Sequence, residues 1–240
     1  MDLEIAGRAA LVTGASQGLG FASALALAAE GADVAITGRD AERLSRAAER
    51  IKSETGRDVL ALLGDITDPN EPARAVQATA ERFGRLDILV ANAGGPPPKR
   101  ALEVTTEDID AAVNANLATT VRLVQQARPH LREAGEGRVC AITSHSVLQP
   151  IPSLSLSNLA RAGLWGWAKT AAKELFAEGV TLNLVCPGKH NTERLAALGM
   201  SGSAGDPADF GKVVAFLCSG PARYISATTI VVDGGEILGL

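Results

Sequence analysis

Arg8-Ala9-Ala10-Leu11-Val12-Thr13-Gly14-Ala15-Ser16-Gln17-Gly18-Leu19-Gly20 carries the chain from an apolar run through a glycine-spaced loop into an alanine-rich stretch reaching Ala29. Read physically, a buried strand turns sharply into a helix here. Glycine permits backbone conformations closed to other residues, lets a ligand approach the main chain, and lets the helix start close to the strand. The helix N-terminus then offers unpaired N–H groups and a positive dipole end, which suits a phosphate. A plain turn would use the same glycines, so the context decides. A second β-type run, Asp33 to Thr37, follows at the distance that a nucleotide-binding βαβ unit requires.

Working outward, short β-type runs beginning at Ala9, Asp33, Val59, Asp87, Arg138, Thr181 and Thr229 alternate with helical patterns near 18–30, 40–53, 70–83, 107–133, 156–177 and 207–218. That alternation predicts an α/β fold of the Rossmann type, a doubly wound parallel sheet of about seven strands with helices on both faces. No repeat or linker interrupts the rhythm, so residues 1–240 read as one domain. Apolar residues make up 46% of the chain and charged residues 21%, which supplies a core and argues against disorder. Aromatics are only 3%, so alanine and glycine must do much of the packing.

The net charge of −4 leaves no basic footprint for nucleic acid. No apolar run reaches the roughly 18 residues that span a bilayer, and no export signal is recognisable at the start, so a cytoplasmic protein is expected. Cys140, Cys186 and Cys218 are odd in number, lie in apolar patterns and lack CxxC spacing, which favours buried reduced thiols over bridges or metal ligands.

Several residues carry chemical meaning. Arg39, closing the second strand in Ile36-Thr37-Gly38-Arg39-Asp40, matches a 2′-phosphate in charge and fork geometry, where an acidic residue would instead take the ribose hydroxyls. NADP(H) is thereby favoured over NAD(H), although a solvated arginine at a helix start, with Asp40 as N-cap, reads equally simply. Asp65 in Gly64-Asp65-Ile66 either accepts from an adenine amino group or caps the next helix. Asn92-Ala93-Gly94 combines an amide with small residues, as expected where backbone meets a cofactor, or in a turn. The segments Gly94 to Pro98 and Lys189 to Asp206 are rich in turn formers and directly follow strands, where a doubly wound sheet places its ligand.

At this point the chain resembles the short-chain dehydrogenase/reductase family over nearly its whole length. The TGxxxGxG loop matches Thr13 to Gly20, NAG matches Asn92 to Gly94, and the mid-chain asparagine matches Asn116. The strand-five serine matches Ser144, PG with its following threonine matches Pro187, Gly188 and Thr192, and the terminal VDGG matches Val232 to Gly235. The resemblance implies cofactor contacts from Gly14, Ser16, Gln17, Gly18, Leu19 and Gly20, from Asp65 and Ile66, from Asn92, Ala93 and Gly94, and from Pro187, Gly188 and Thr192. It also implies catalysis near Asn116 and Ser144, a homodimer or homotetramer with Trp165 and Trp167 on a packing helix, and a small-molecule or acyl-carrier substrate.

One departure stands out. The family's catalytic Tyr, and the Lys one helical turn beyond it, fall on Ser157 and Arg161. The chain holds a single tyrosine, Tyr224, near the last strand. A phenol titrates near ~10 and can be lowered by a neighbouring cation, whereas an aliphatic hydroxyl does not exchange protons readily at neutral pH. General acid–base catalysis contributes roughly 10² to 10⁴ in rate, so its loss raises a barrier by about 3 to 5 kcal/mol. Arg161 keeps the charge but is a poor proton relay. His145 and His190 lie nearby in the pattern and are candidate substitute acids, or simply loop histidines.

Two functions therefore stand side by side: an NADP(H)-dependent oxidoreductase of carbonyl or hydroxyl compounds, similar to 3-oxoacyl-(acyl-carrier-protein) reductases, with altered proton transfer, or a nucleotide-binding but catalytically silent relative acting as sensor or partner subunit. Halohydrin-cleaving relatives also pair an arginine with Ser and Tyr, but they keep the tyrosine and lose the nucleotide loop, the reverse of this chain. Gly199, Gly202 and Gly205 predict a loose, open mouth over the pocket.

Overall fold

Seven short apolar runs make the sheet. A computed structural model describes residues 1–199 and 203–238. Strands β1 (Ala9–Val12), β2 (Asp33–Gly38), β3 (Val59–Leu63), β4 (Ile88–Ala91), β5 (Arg138–Ile142), β6 (Thr181–Pro187) and β7 (Thr229–Val232) lie parallel in the order β3-β2-β1-β4-β5-β6-β7. The seven-stranded α/β sheet read from the sequence is what forms. Because side chains alternate across a strand, Ala10, Val12, Ile88 and Val90 enter one core while Leu11, Leu89 and Ala91 enter the other.

Helices α1 (Gly18–Ala29), α2 (Ala41–Thr55) and α8 (Pro207–Leu217) cover the first face through residues such as Leu27, Leu44, Ile51 and Phe210. Helices α3 (Glu71–Phe83), α5 (Thr119–Glu133) and α6 (Ser155–Phe176) cover the second through Val76, Leu123, Leu131 and Leu175. Truncating a fully buried Leu such as Leu89 to Ala in such a core costs about 2–5 kcal/mol. The scarcity of aromatics is answered by close backbone approach. A Cβ on Gly211 of α8 would lie 2.3 Å from the Ala22 carbonyl oxygen of α1, so those helices pack at a distance only glycine permits.

The pattern near 107–133, which reads as one helix, is two. Helix α4 (Thr106–Val113) passes into a π turn (Asn114–Ala118) before α5 begins. One inserted residue rotates the following face, a shift that apolar periodicity is too coarse to show. Within Lys189 to Asp206 lies a short helix, α7 (Glu193–Ala197), capped by the Thr192 hydroxyl, which accepts from the Leu195 amide at 3.3 Å. Among the described residues no helix is long and apolar enough to cross a membrane. Cys140, Cys186 and Cys218 are free and buried.

Candidate functional site

The strand order reverses between β1 and β4, and this switch point opens a crevice at the carboxyl ends of the strands. Asn92 spans it. Its side-chain amide donates to the carbonyls of Thr13 (3.2 Å) and Gly14 (3.0 Å), and its backbone N–H donates to the Thr13 hydroxyl (2.9 Å). The Thr13 hydroxyl donates in turn to the Asn92 carbonyl (2.7 Å). Asn92 thus holds the glycine loop rather than acting simply as a turn former. A Cβ on Gly20 would stand 2.5 Å from the Gly14 carbonyl oxygen and 2.7 Å from Asn92 Nδ2, so only glycine lets α1 start this close to β1. Gly14 and Gly18 adopt φ of +58° and +60°. No side chain caps α1 at Gln17 and no acidic residue sits in its first turn, so the positive end of the helix faces the crevice.

From this loop a cleft of about 1120 Å³ runs across the strand ends. It exceeds the roughly 300–1,000 Å³ of an ordinary small-molecule site, as a dinucleotide with a substrate beside it would require. The structure brings Gly14, Ser16, Gln17, Gly18, Leu19, Arg39, Asp65, Ile66, Asn92, Ala93, Gly94, Asn116, Ser144, Ser157, Arg161, Pro187, Gly188 and Thr192 into its walls. Gly20 lies beneath the loop. At Gly94 an added Cβ would meet nothing within 4 Å, so the chain leaves open space there.

At one end, Gly38 brings β2 so close to Ser16 that an added Cβ would lie 3.0 Å from the serine Cβ. Arg39, 74% exposed at its side chain, pairs with Asp65 at 3.6 Å. Asp40 caps α2 by accepting from the Arg43 amide at 2.9 Å. Arg43 donates across to the Gln17 side chain at 2.8 Å, which gives this end of the cleft a second guanidinium. Sequence reasoning missed Arg43; its spacing of four from Arg39 at a helix start was the available signal. Asp65 does not cap α3, whose N-cap position is Asn70. It instead accepts from the Thr67 amide (3.0 Å) and hydroxyl (2.8 Å) in a local turn. Burial raises its pKa, but those bonds and Arg39 outweigh it and hold the carboxyl below the usual carboxylate range.

At the other end, the π turn buries Asn116, leaving its Oδ1 without a partner. Gly163 of α6 fits so tightly against Leu117 that an added Cβ would stand 2.6 Å from Leu117 Cδ1, which locks the π turn to the helix carrying Ser157 and Arg161. The Ser144 hydroxyl oxygen accepts from the Ser146 amide at 3.1 Å. Ser157 is buried in the wall. Arg161, 7% exposed, donates to the carbonyls of Ile142 (3.1 Å), Thr143 (2.9 Å) and Ala93 (3.4 Å). Burial, reinforced by Arg194, pulls its pKa down to about 10.

The chain's one tyrosine is far from this wall in its contacts: Tyr224 is 88% exposed and meets Phe176 edge-on with ring centroids 6.0 Å apart. His190 is no better placed as a proton donor. Its Nδ1 lies 3.3 Å from the Gly188 carbonyl and its ring packs edge-on against Phe210 at 5.2 Å, so it braces α8 against the loop. His145 is buried with an unpartnered Nδ1 that faces Glu236 at 3.9 Å.

Hydrogen bonds tie down the described part of the mouth, whose glycines suggest looseness. Arg194 reaches from α7 to donate to the Pro96 carbonyl at 2.7 Å, and Gly205 donates to the Lys189 carbonyl at 2.9 Å while accepting from Asn191 at 3.0 Å. Gly199 lies just beyond α7, and Gly202 falls outside the described residues. Thr192 sits over Gly18, whose added Cβ would be 3.7 Å from the threonine methyl. Arg194 itself carried no motif signal beyond following Thr192.

Comparison with known proteins agrees with this architecture. A family model described as enoyl-(acyl carrier protein) reductase matches residues 14–236. The chain is similar to a 3-oxoacyl-(acyl-carrier-protein) reductase of Synechocystis sp., 32% identical over 95% of this chain and 96% of the relative. In structure it is similar to the L-sorbose reductase of Gluconobacter frateurii complexed with NADPH and L-sorbose, 28% identical with a TM-score of 0.95 over all of both chains. A short-chain dehydrogenase of Burkholderia cenocepacia in complex with NADP is 36% identical, with a TM-score of 0.88 over 98% of each chain. With the family model matching residues 14–236 and a relative 32% identical over 95% of the chain, the chain belongs to the short-chain dehydrogenase/reductase family.

Proposed function

We propose that this protein is an NADP(H)-dependent oxidoreductase of carbonyl and hydroxyl compounds that works without a phenol in its site. The observation that carries the reading is the unbroken cleft from an uncapped helix N-terminus, past paired guanidiniums, to Asn116, Ser144 and Ser157. The residues fit a dinucleotide: the glycine-only contact at Gly20 shapes a cradle, and the first turn of α1 offers it N–H groups with no competing side chain. Gly14, Ser16, Gln17, Gly18 and Leu19 would hold the pyrophosphate, and Asp65 and Ile66 the adenine. Ala93, Gly94, Pro187, Gly188 and Thr192 would hold the nicotinamide half. Arg39 and Arg43 give the preference for NADP(H), because a 2′-phosphate satisfies two cations that NAD(H) would leave to Asp65 and Asp40. The relatives solved with NADPH and NADP support it. When bound, the nicotinamide supplies the hydride chemistry.

The chain's own residues set the rest. Ser144 and Ser157 orient the substrate oxygen by hydrogen bonding. On the family resemblance Ser157 and Arg161 fall at the places of the catalytic Tyr and Lys, and neither exchanges protons readily near neutrality, so the proton comes from water. Asn116 lines the same wall, with its Oδ1 buried and unpartnered. Arg161 braces the ends of β4 and β5 through three carbonyls instead of moving a proton. Lacking the phenol, turnover falls short of a fully equipped enzyme by roughly 10²- to 10⁴-fold. The substrate is a small carbonyl compound or an acyl group on a carrier. The exposed faces of Leu159 and Trp165 on α6 mark the surface through which a dimer or tetramer assembles. Steady-state oxidation of NADPH with a panel of ketones and oxoacyl thioesters tests the reading. NADPH binding without any turnover would leave a silent nucleotide-binding protein instead.

A further inference from the structure

We infer that the substrate of this site carries a carboxylate, held at the mouth of the cleft by Arg194 under the field of Arg161; the inference rests on the oxidoreductase reading above. The cleft is lined by acidic and basic groups that are nearly all matched. Asp40 pairs with Arg43, Asp65 with Arg39, Asp108 with Lys99, and Glu236 with Lys189. Arg161, Arg194 and Glu193 break this pattern, since none of them forms an ion pair among the described residues, and the two guanidiniums outnumber the one carboxylate. Arg161 is a buried cation whose bonds all end on neutral carbonyls, an arrangement that is costly unless an anion arrives.

Both guanidiniums grip the same short segment after β4. Arg161 donates to the Ala93 carbonyl and Arg194 to the Pro96 carbonyl, so the loop between them is flanked by two positive charges. The positive charge of Arg194 adds to burial in lowering the proton affinity of Arg161, whereas burial alone lowers that of Arg194. Glu193, also in the wall and next to Arg194 in the chain, forms no ion pair with it. A guanidinium offers a planar fork to a carboxylate, and Arg194 uses only one of its terminal nitrogens on Pro96. Arg194 meets the Pro96 carbonyl after β4, whereas Arg43 meets Gln17 at the start of α1, so the anion assigned to Arg194 is the substrate's and not a 2′-phosphate held by Arg39 and Arg43.

The test is calorimetric titration of α- and β-oxo acids of increasing chain length, each beside its methyl ester and amide, into the protein alone and loaded with NADP⁺. At least one acid should bind about 10- to 100-fold more tightly than its ester. Arg194→Gln should abolish that preference, Arg194→Lys should keep most of it, and the affinity for NADPH should stay within about twofold in both variants. Inorganic phosphate should compete weakly if at all. If no acid binds better than its ester, or if Arg194→Gln weakens NADPH instead of the acid, the inference is overturned while the oxidoreductase reading stands. Failure to bind NADPH at all would overturn that reading first, and the titrations of the free protein would still judge the arginine pair.

Discussion

Replacing Arg39 and Arg43 together with alanine separates the two dinucleotides by an amount the geometry allows us to estimate. Both side chains are half-exposed or more, and their pairs with Asp65 and Asp40 are surface ion pairs worth at most about 1 kcal/mol each. A 2′-phosphate offers each guanidinium a charged hydrogen bond worth about 1.5–3 kcal/mol, so two of them, less the surface pairs given up, leave roughly 1–4 kcal/mol. At about 1.4 kcal/mol per tenfold, the double substitution should weaken NADPH by about 5- to 700-fold. NADH lacks the phosphate and feels only the loss of the Arg43 bond to Gln17, worth about 0.5–1 kcal/mol, or up to about fivefold. Titration calorimetry with both cofactors on both proteins measures the difference directly. The NADPH advantage of the wild type should also shrink with added salt, as exposed charges are screened. Equal weakening of the two cofactors, or a wild type that binds NADH as tightly as NADPH, would refute the assignment of these arginines.

Further substitutions test other parts of the account. Gly20→Ala places a Cβ against the Gly14 carbonyl and the Asn92 amide. Overpacking and lost hydrogen bonds together should cost about 2–4 kcal/mol, read as a fall of about 4–16 °C in Tm; an unchanged Tm would show the contact to be slack. His190→Gln should lower Tm through the lost packing on Phe210 yet leave the pH profile of kcat unmoved, and a profile that shifts would restore His190 as a proton donor. The double substitution of Ser157→Tyr with Arg161→Lys should raise kcat by roughly 10²- to 10⁴-fold, with some loss of Tm because one ammonium cannot hold three carbonyls as the guanidinium does. No gain in rate would mean that those two places are not the proton-donor positions.

The sheet was legible because each strand is a short, mainly apolar run punctuated by turn formers, so Ala9, Asp33, Val59, Arg138, Thr181 and Thr229 begin strands where the pattern says they do. The glycine loop was legible for a related reason: the positive φ at Gly14 and Gly18 favours glycine, and the contact at Gly20 leaves no room for a Cβ. The π turn at Asn114 was not, since one extra residue in a helical run alters the direction of a face without altering the composition. Nor were the reach of Arg194 to Pro96 and that of Arg43 to Gln17, which depend on side chains meeting across segments distant in sequence. The glycines of the 189–206 segment suggested looseness, yet Thr192 starts a helix there and Gly205 closes hydrogen bonds with Lys189 and Asn191. Asp65 shows the same limit. Its residue type suited a helix cap, but the chain turns locally at Thr67 before α3 begins, and the carboxylate is used there.

The central claim is that a cofactor cleft without a phenol still supports redox turnover. Steady-state NADPH oxidation by the wild-type protein, run against carbonyl compounds with and without a carboxylate and paired with calorimetric proof of NADPH binding, meets it head on. Turnover should be slow, proportional to enzyme concentration and highest with an oxo acid. NADPH bound at the site with no turnover of any carbonyl above the enzyme-free rate would contradict it.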